Sequence, residues 1–459
     1  MNENNGVPAG GTVTAGAQPA APTLRHDQKN VRRAAWAGLV GTALEQYDFV
    51  IYGTASAIIF NTIFFPNVSP AVGIIASFGA YAVGFGARPL GGLFFSRYGD
   101  RLGRKWVLVC TLMLMGVATF AIGLLPTYAQ AGVWAPILLV ACRFLQGFGA
   151  GAEQAGGVVL LTELAAKGKR RRFASLVFVG AAAGTAMGAV VWMLVQLMPR
   201  EALLSYGWRL VFFSSIFVTI AAWLIRRNLK ESPVMAELKA EVGMAERQKT
   251  PAADVFKNGR RGLFSVFFMN VGANAHSYIF QTFMGSYLIT YLAVDSTFIP
   301  KVLFIGAMFA CVSAWVAGNL SDKFGRRPLY LSITGFLLLF PFPAFMLLNT
   351  GNLFWIGVVI VLGFIFAAQG TVGVQAAYFP ELFGSRYRYA GVALGREFSS
   401  VFGGGIAPLI CSALVTWASG SWIPVAIYMM LMMAITFIAA LKAPETRDRD
   451  LLTEEDAHK

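Results

Sequence analysis

Twelve apolar runs follow one another between residues 34 and 442, each long enough to cross a bilayer at ~20 residues per span. They lie near 34–62, 71–96, 106–126, 136–164, 173–198 and 208–228, then near 262–292, 300–320, 329–349, 354–379, 389–418 and 422–442. Charged residues make up 13% of the chain, against roughly 25% in a soluble protein. The 49 Gly and 38 Phe suit packed transmembrane helices. A chain of this pattern folds as an all-α membrane protein.

Net charge is +14. In a soluble chain that would suggest a nucleic-acid partner; here the bases sit in short gaps between apolar runs. Four gaps on one side, 62–71, 126–136, 349–354 and 418–422, hold no Lys or Arg, and 198–208 holds Arg200. The other side holds Arg97, Arg101, Arg104 and Lys105, then Lys167 to Arg172, then Lys323, Arg326 and Arg327, then Arg386 and Arg388. The asymmetry places both termini in the cytoplasm of a multi-pass protein. Residues 1–30 are Gly-, Ala- and Pro-rich and read as a disordered cytoplasmic arm without the early apolar core of a signal peptide. Residues 229–260 are polar and read as a cytoplasmic linker, and 443–459 as a cytoplasmic tail. Cys110, Cys142, Cys311 and Cys411 lie inside apolar runs without metal-ligand spacing, so no metal site follows.

One short segment occurs twice. Gly91–Lys105 includes Asp100-Arg101-Leu102-Gly103-Arg104-Lys105, and Gly318–Arg327 includes Ser321-Asp322-Lys323-Phe324-Gly325-Arg326-Arg327. The copies stand about half the chain apart. The spans therefore divide into two six-helix bundles, 31–228 and 261–442, each with a basic hairpin at an equivalent place. A second duplicated loop pair places Glu163 before Lys167–Arg172, and Pro380-Glu381 before Arg386 and Arg388. Each Glu is expected to engage a hairpin base and latch the inner side shut.

The Asp-Arg-x-Gly-Arg-Lys hairpin resembles the loop between the second and third helices of the major facilitator superfamily, with Ser96 departing from the Gly expected at the first position. A narrower resemblance is to its metabolite–proton symporters, such as shikimate, citrate, α-ketoglutarate and proline/betaine carriers. It rests on Gly41–Phe49, Ala87–Gly92, Trp134–Leu139, Arg143–Phe148 with Glu153, Tyr378–Phe383, Arg388–Gly391 and Gly403–Pro408. The resemblance implies two pseudo-symmetric six-helix bundles working by alternating access across a bacterial inner membrane. It also implies a monomer that uses the proton gradient and no other cofactor.

Ionisable residues inside a span are expensive and mark function or pairing. At ~1.5 Å per residue Asp48 and Arg143 both lie ~20 Å above the cytoplasmic boundary. Glu45 sits one turn below Asp48, on the same face. The expectation is that Asp48, with Glu45, faces Arg143 across the cavity. That arrangement either couples a proton to a substrate-binding guanidinium or simply ties two helices together. Tyr47 and Tyr52 flank the acid and join Arg143 as substrate-binding candidates. Arg88 and Glu153 match in depth nearer the cytoplasm, where they suit a gate or packing pair; Glu153 also stands among the binding candidates. In the second half Asn274, His276, Tyr278 and Gln281 form a polar cluster in a span expected to face the cavity. Arg396-Glu397 reads as a substrate contact or a self-contained pair. The inner gate is assigned to Arg88, Asp100, Arg101, Arg104, Glu163, Asp322, Arg326, Glu381 and Arg388.

No nucleotide loop, metal cluster or nucleophile triad is present, so an enzyme is excluded. The expected function is proton-coupled uptake of a small carboxylate-bearing metabolite. A proline/betaine-type osmolyte symporter is one alternative, although 443–459 lacks the heptads of a coiled coil. A transporter-like sensor or receptor is another.

Overall fold

The structure is a computed structural model. It describes residues 28–102, 104–151, 170–227, 255–256, 259–384 and 388–447, with 449 and 457. Most of the expected arm and linker, together with Glu153 and Glu163, lie outside the described residues, as do the side chains of Asp100, Arg101 and Arg104.

The described chain is helical, with no strand among the described residues. The N-terminal half comprises α1 (Gln28–Ile58), α2 (Pro70–Leu102), α3 (Arg104–Leu124), α4 (Trp134–Ala150), α5 (Arg170–Val195) and α6 (Arg200–Ile225). In the C-terminal half α7 runs Arg260–Tyr278, passes through a π-helical turn at Ile279–Phe283 and ends in Met284–Thr290. It is followed by α8 (Phe298–Phe324) and by α9, whose parts Arg326–Leu339 and Pro341–Leu348 meet at 46°. Next come α10 (Leu353–Glu381), α11 (Ala390–Trp417) and α12 (Ile423–Lys442). Among the described residues seven helices are long and apolar enough to span a membrane, and bent α9 makes an eighth. The described apolar stretches of α4 and α5 are shorter. Helices α1 and α7 fall short because Glu45 and Asp48 on one, and Asn270, Asn274, His276 and Gln281 on the other, dilute their hydropathy.

Close approach within the N-terminal half depends on missing side chains. A Cβ at Gly147 of α4 would lie 1.8 Å from the Gly84 carbonyl of α2, and one at Gly91 would lie 1.8 Å from the Phe148 carbonyl. Helices α2 and α4 therefore touch backbone to backbone, as small-residue interfaces in membranes do. The Gly180 and Gly184 face of α5 meets α1 in the same way, 2.3 and 2.1 Å from the carbonyls of Leu39 and Ala43. Arg209 of α6 donates to the carbonyls of Gly123 and Leu125 at the end of α3, at 2.7 and 2.6 Å, where a cation complements the helix C-terminus.

The two halves meet along α1/α7, α2/α11 and α5/α8. At the α2/α11 contact Gly404 and Gly405 abut the Phe85 side chain, with Cβ positions 2.7 Å from its Cε1 and 2.5 Å from its Cβ. The π-helical turn Val401–Gly405 thus brings α11 against α2 one turn beyond Glu397. The apolar core is continuous across the halves, since Ile74, Phe78, Ala182 and Ala189 join the cluster built on α7–α12.

Candidate functional site

Two arginines lie at the centre, one on α4 and one on α2. Arg143 and Arg88 are 0% and 2% exposed, so neither is open to water from either face of the membrane. Both guanidinium carbons stand 5.5 Å from the centroid of one ring, Phe49 of α1.

Arg143 is caged. Its guanidinium lies 4.1 Å from the Tyr52 ring centroid and 5.0 Å from that of Tyr81, a cation–π arrangement. Gly84 leaves it room, because a Cβ there would come 3.1 Å from Nη2. Nη1 donates to Gln146 on the next turn. Nε and Nη2 are buried with no hydrogen-bond acceptor. Asp48 is also buried, and Oδ2 accepts from the Thr119 hydroxyl at 2.7 Å. Gln146 Nε2 in turn donates to Thr119 at 2.6 Å. The expected facing of Asp48 and Arg143 takes an indirect form, a chain through Thr119 and Gln146 rather than an ion pair. The intervening amide and hydroxyl leave Arg143 with donors to spare.

Arg88 is saturated. Nη1 donates to Glu45 at 2.6 Å, while Nε and Nη2 fork onto the carboxylate of Glu397 at 2.8 and 3.2 Å. The rings of Phe49 and Phe85 close over it at 5.5 Å each. Three expectations change here. Glu45 serves Arg88 instead of Arg143, because α2 runs beside it. Arg88 belongs to the centre rather than to the inner gate. Glu397 is neither self-contained with Arg396 nor a lone contact, since it crosses to the other half. Sequence reasoning missed that crossing, although the shared chemistry of a buried Arg and a buried Glu was a usable signal.

The remaining candidates separate. Tyr52 lines the arginine cage, whereas Tyr47 turns away and bonds the Val211 carbonyl and the Ser214 hydroxyl of α6. Tyr278 of α7 joins Phe49, Tyr81 and Phe85 in an aromatic cluster across the halves. Gln281 accepts from Gln46 of α1 at 2.7 Å. Asn274 donates to Ser400 of α11. His276 is fully buried, its Nδ1 3.1 Å from the Gly272 carbonyl one turn back. Arg396 is half-buried beside Glu397, with its carbonyl accepting from Ser399 and Ser400.

At the inner end of the second half Glu381 engages a hairpin base, the contact expected of it. Arg326 bonds Asp322 at 2.5 Å and forks onto Glu381 at 3.2 Å twice. Arg388 instead donates to the carbonyls of Pro380 and Phe383. The chain after α12 adds a layer that the sequence reading did not contain. Glu445 accepts from the backbone N–H groups of Arg326 and Arg327 at 2.9 Å, capping α9, and Thr446 donates to Glu381 at 2.7 Å.

Comparison with known proteins agrees with this fold. The profile of the Major Facilitator Superfamily matches residues 38–395. The chain is 36% identical over 416 residues to the shikimate transporter of Escherichia coli K12, covering 89% of this chain and 94% of that protein. It is 32% identical over 443 residues to the proline/betaine transporter of Salmonella typhimurium, covering 93% and 86%. Among solved structures, a D-xylose-proton symporter superposes with a TM-score of 0.69 at 16% identity, over 91% of this chain and 99% of that one.

Proposed function

Because the chain belongs to the major facilitator superfamily, whose members are membrane transporters and not enzymes, we propose that it imports a small carboxylate-bearing metabolite together with a proton. The bacterial inner membrane is the proposed site, with both termini in the cytoplasm and the monomer as the working unit. One observation carries the reading: a fully buried guanidinium with two unused donors stands in an aromatic cage beside a buried carboxylate. Unpaired buried donors are costly, and a bound oxygen acceptor removes that cost. Arg143 Nε and Nη2 take substrate oxygens, and Tyr52 and Tyr81 exclude water around them. Asp48 takes the coupling proton and signals through Thr119 and Gln146, whose hydroxyl and amide must reorient when the acid becomes a donor.

The test is uptake into proteoliposomes of a labelled panel: shikimate, lactate, malate, citrate, glycine betaine and xylose, with and without an inward proton gradient. Accumulation of an acid that follows the gradient is expected. Flux indifferent to the gradient removes proton coupling, preference for betaine moves the substrate to the osmolytes, and binding without flux makes the protein a receptor. Asp48→Asn is expected to abolish uphill accumulation while exchange of labelled for unlabelled substrate continues.

A further inference from the structure

Helices α7 and α9 are both interrupted, and the interruptions meet. One is the π-helical turn Ile279–Phe283, the other the 46° bend between Arg326–Leu339 and Pro341–Leu348. The rings of Phe280 and Phe340, one at each break, stand 6.0 Å apart. Pro341 has no N–H to return to the Leu337 carbonyl, so the helical bond that would resist bending of α9 is missing. A π-helical turn loosens α7 at the same place. His276, just before that turn, holds Gly272 of its own helix through Nδ1, and its Nε2 approaches the Leu337 carbonyl without a hydrogen bond of good geometry.

On the inner side of the breaks the two helices are fixed. The Tyr330 hydroxyl of α9 donates to the Met269 carbonyl of α7 at 2.6 Å and accepts from Gln375 of α10 at 2.9 Å. Gly272 packs α7 on α12 backbone to backbone, since a Cβ there would lie 2.1 Å from the Met432 carbonyl. On the outer side of the breaks α7 and α9 are tied again, to each other. The Tyr287 hydroxyl of α7 lies 3.2 Å from Oδ1 and 3.1 Å from Nδ2 of Asn349 at the end of α9. The Phe345 ring meets that of Tyr287 edge-on at 5.4 Å.

We propose that Met284–Thr290 of α7 and Pro341–Leu348 of α9 form one jointed arm. It swings about Ile279–Phe283 and Pro341 and opens the outer side, in the orientation proposed above. Tyr287 and Asn349 make the two segments move together.

The arm lies where such a motion opens a path. Its α7 segment closes against the other half: a Cβ on Gly285 would stand 3.8 Å from that of Ala57 on α1, and Ile289 packs on the apolar core of the first half. The tip is held to α11 by the bond between the Tyr291 and Thr416 hydroxyls at 3.0 Å, and α11 carries its own π-helical turn at Val401–Gly405, so the tip can follow. The counterparts of α7 and α9 in the first half, α1 and α3, run unbroken over Gln28–Ile58 and Arg104–Leu124. The joint is therefore a property of the second half and not of the repeat. The hinge layer is cheap to bend, because the α9 bond that bending would break does not exist there.

The test is hydrogen–deuterium exchange of the purified full-length protein in lipid nanodiscs, followed peptide by peptide. Met284 to Leu288 are buried, so their amides exchange when the arm departs from α1. Pro341→Ala gives the Leu337 carbonyl an N–H and stiffens α9. Exchange is expected to slow about fivefold in 341–348, the worth of one hydrogen bond, and by a similar factor in 284–290, with 260–275 and 326–336 unchanged. The effect on α7 of a substitution in α9 is the decisive reading. Slowing confined to 341–348 overturns the jointed arm, as does slowing that extends through 260–275. Tyr287→Phe keeps the ring and removes the tie. It is expected to speed exchange in both segments and to erase the effect of Pro341→Ala on 284–290. Should Pro341→Ala not fold, Tyr287→Phe decides alone, and unchanged exchange in 341–348 then sinks the proposal.

Discussion

The two buried arginines sit on neighbouring helices, share one phenylalanine and have opposite surroundings. Arg88 has three of its nitrogens on two carboxylates. Arg143 has one nitrogen on an amide and two on nothing. A guanidinium buried in a membrane protein is normally satisfied, because desolvation is otherwise uncompensated. Arg88 follows that rule and its partners join the halves. Arg143 breaks it inside a single half, and the aromatic rings around it compensate only in part. The saturated arginine therefore ties the halves together, and the unsaturated one carries donors that the architecture does not use.

Removing the saturated arginine is the strongest way to break the comparison. Arg88→Leu leaves Glu45 and Glu397 buried without their cation, an arrangement that costs about 3–5 kcal/mol. A sharp fall in folded yield and in the unfolding temperature of purified protein is expected. The triple change Arg88→Leu with Glu45→Gln and Glu397→Gln is expected to recover the fold without recovering transport. If Arg88→Leu alone is as stable as the wild type, the cluster does not hold the halves together.

Arg143→Leu is expected to behave in the opposite way. Its loss removes donors that had no acceptor, so unfolding temperature changes little. Substrate affinity falls by more than tenfold, or at least about 1.4 kcal/mol, measured by equilibrium binding of the transported acid. A stable Arg143→Leu that binds normally would remove Arg143 from the site.

The contrast also explains what could be read in the sequence. Asp48 and Arg143 share a half, and counting ~1.5 Å per residue from the ends of their helices is enough to bring them to one depth. The same counting fails for Glu397. Its pairing depends on how α11 lies against α2, which the Gly404 and Gly405 contact with Phe85 sets. No periodicity within one helix carries that information. Glu45 shows a second limit: one turn from Asp48, it shares that residue's face, yet α2 passes close enough to claim it. The inner cluster shows a third. The duplicated hairpin marked Asp322 and Arg326, and the second duplicated loop marked Glu381, but the capping of α9 by Glu445 comes from the tail, to which the sequence reading gave no contact. The twelve-helix architecture was legible because bilayer thickness imposes it on each run separately.

Tyr47 provides the smallest test and the cleanest control. It lies between Gln46, which bridges to α7, and Asp48, so a reading based on position alone makes it a substrate contact. A helix turns about 100° per residue, and that rotation carries the Tyr47 hydroxyl to the far side of α1. There it meets Val211 and Ser214 of α6. Tyr47→Phe keeps the ring and removes the hydroxyl, at a net cost of about 1 kcal/mol. The expected result is a slightly lower unfolding temperature with substrate affinity and its pH dependence unchanged. Tyr52→Phe, whose ring lies 4.1 Å from the Arg143 guanidinium, is the matched comparison. If Tyr47→Phe weakens binding and Tyr52→Phe does not, the face of α1 assigned to the substrate is the wrong one, and the cage around Arg143 is packing rather than a site.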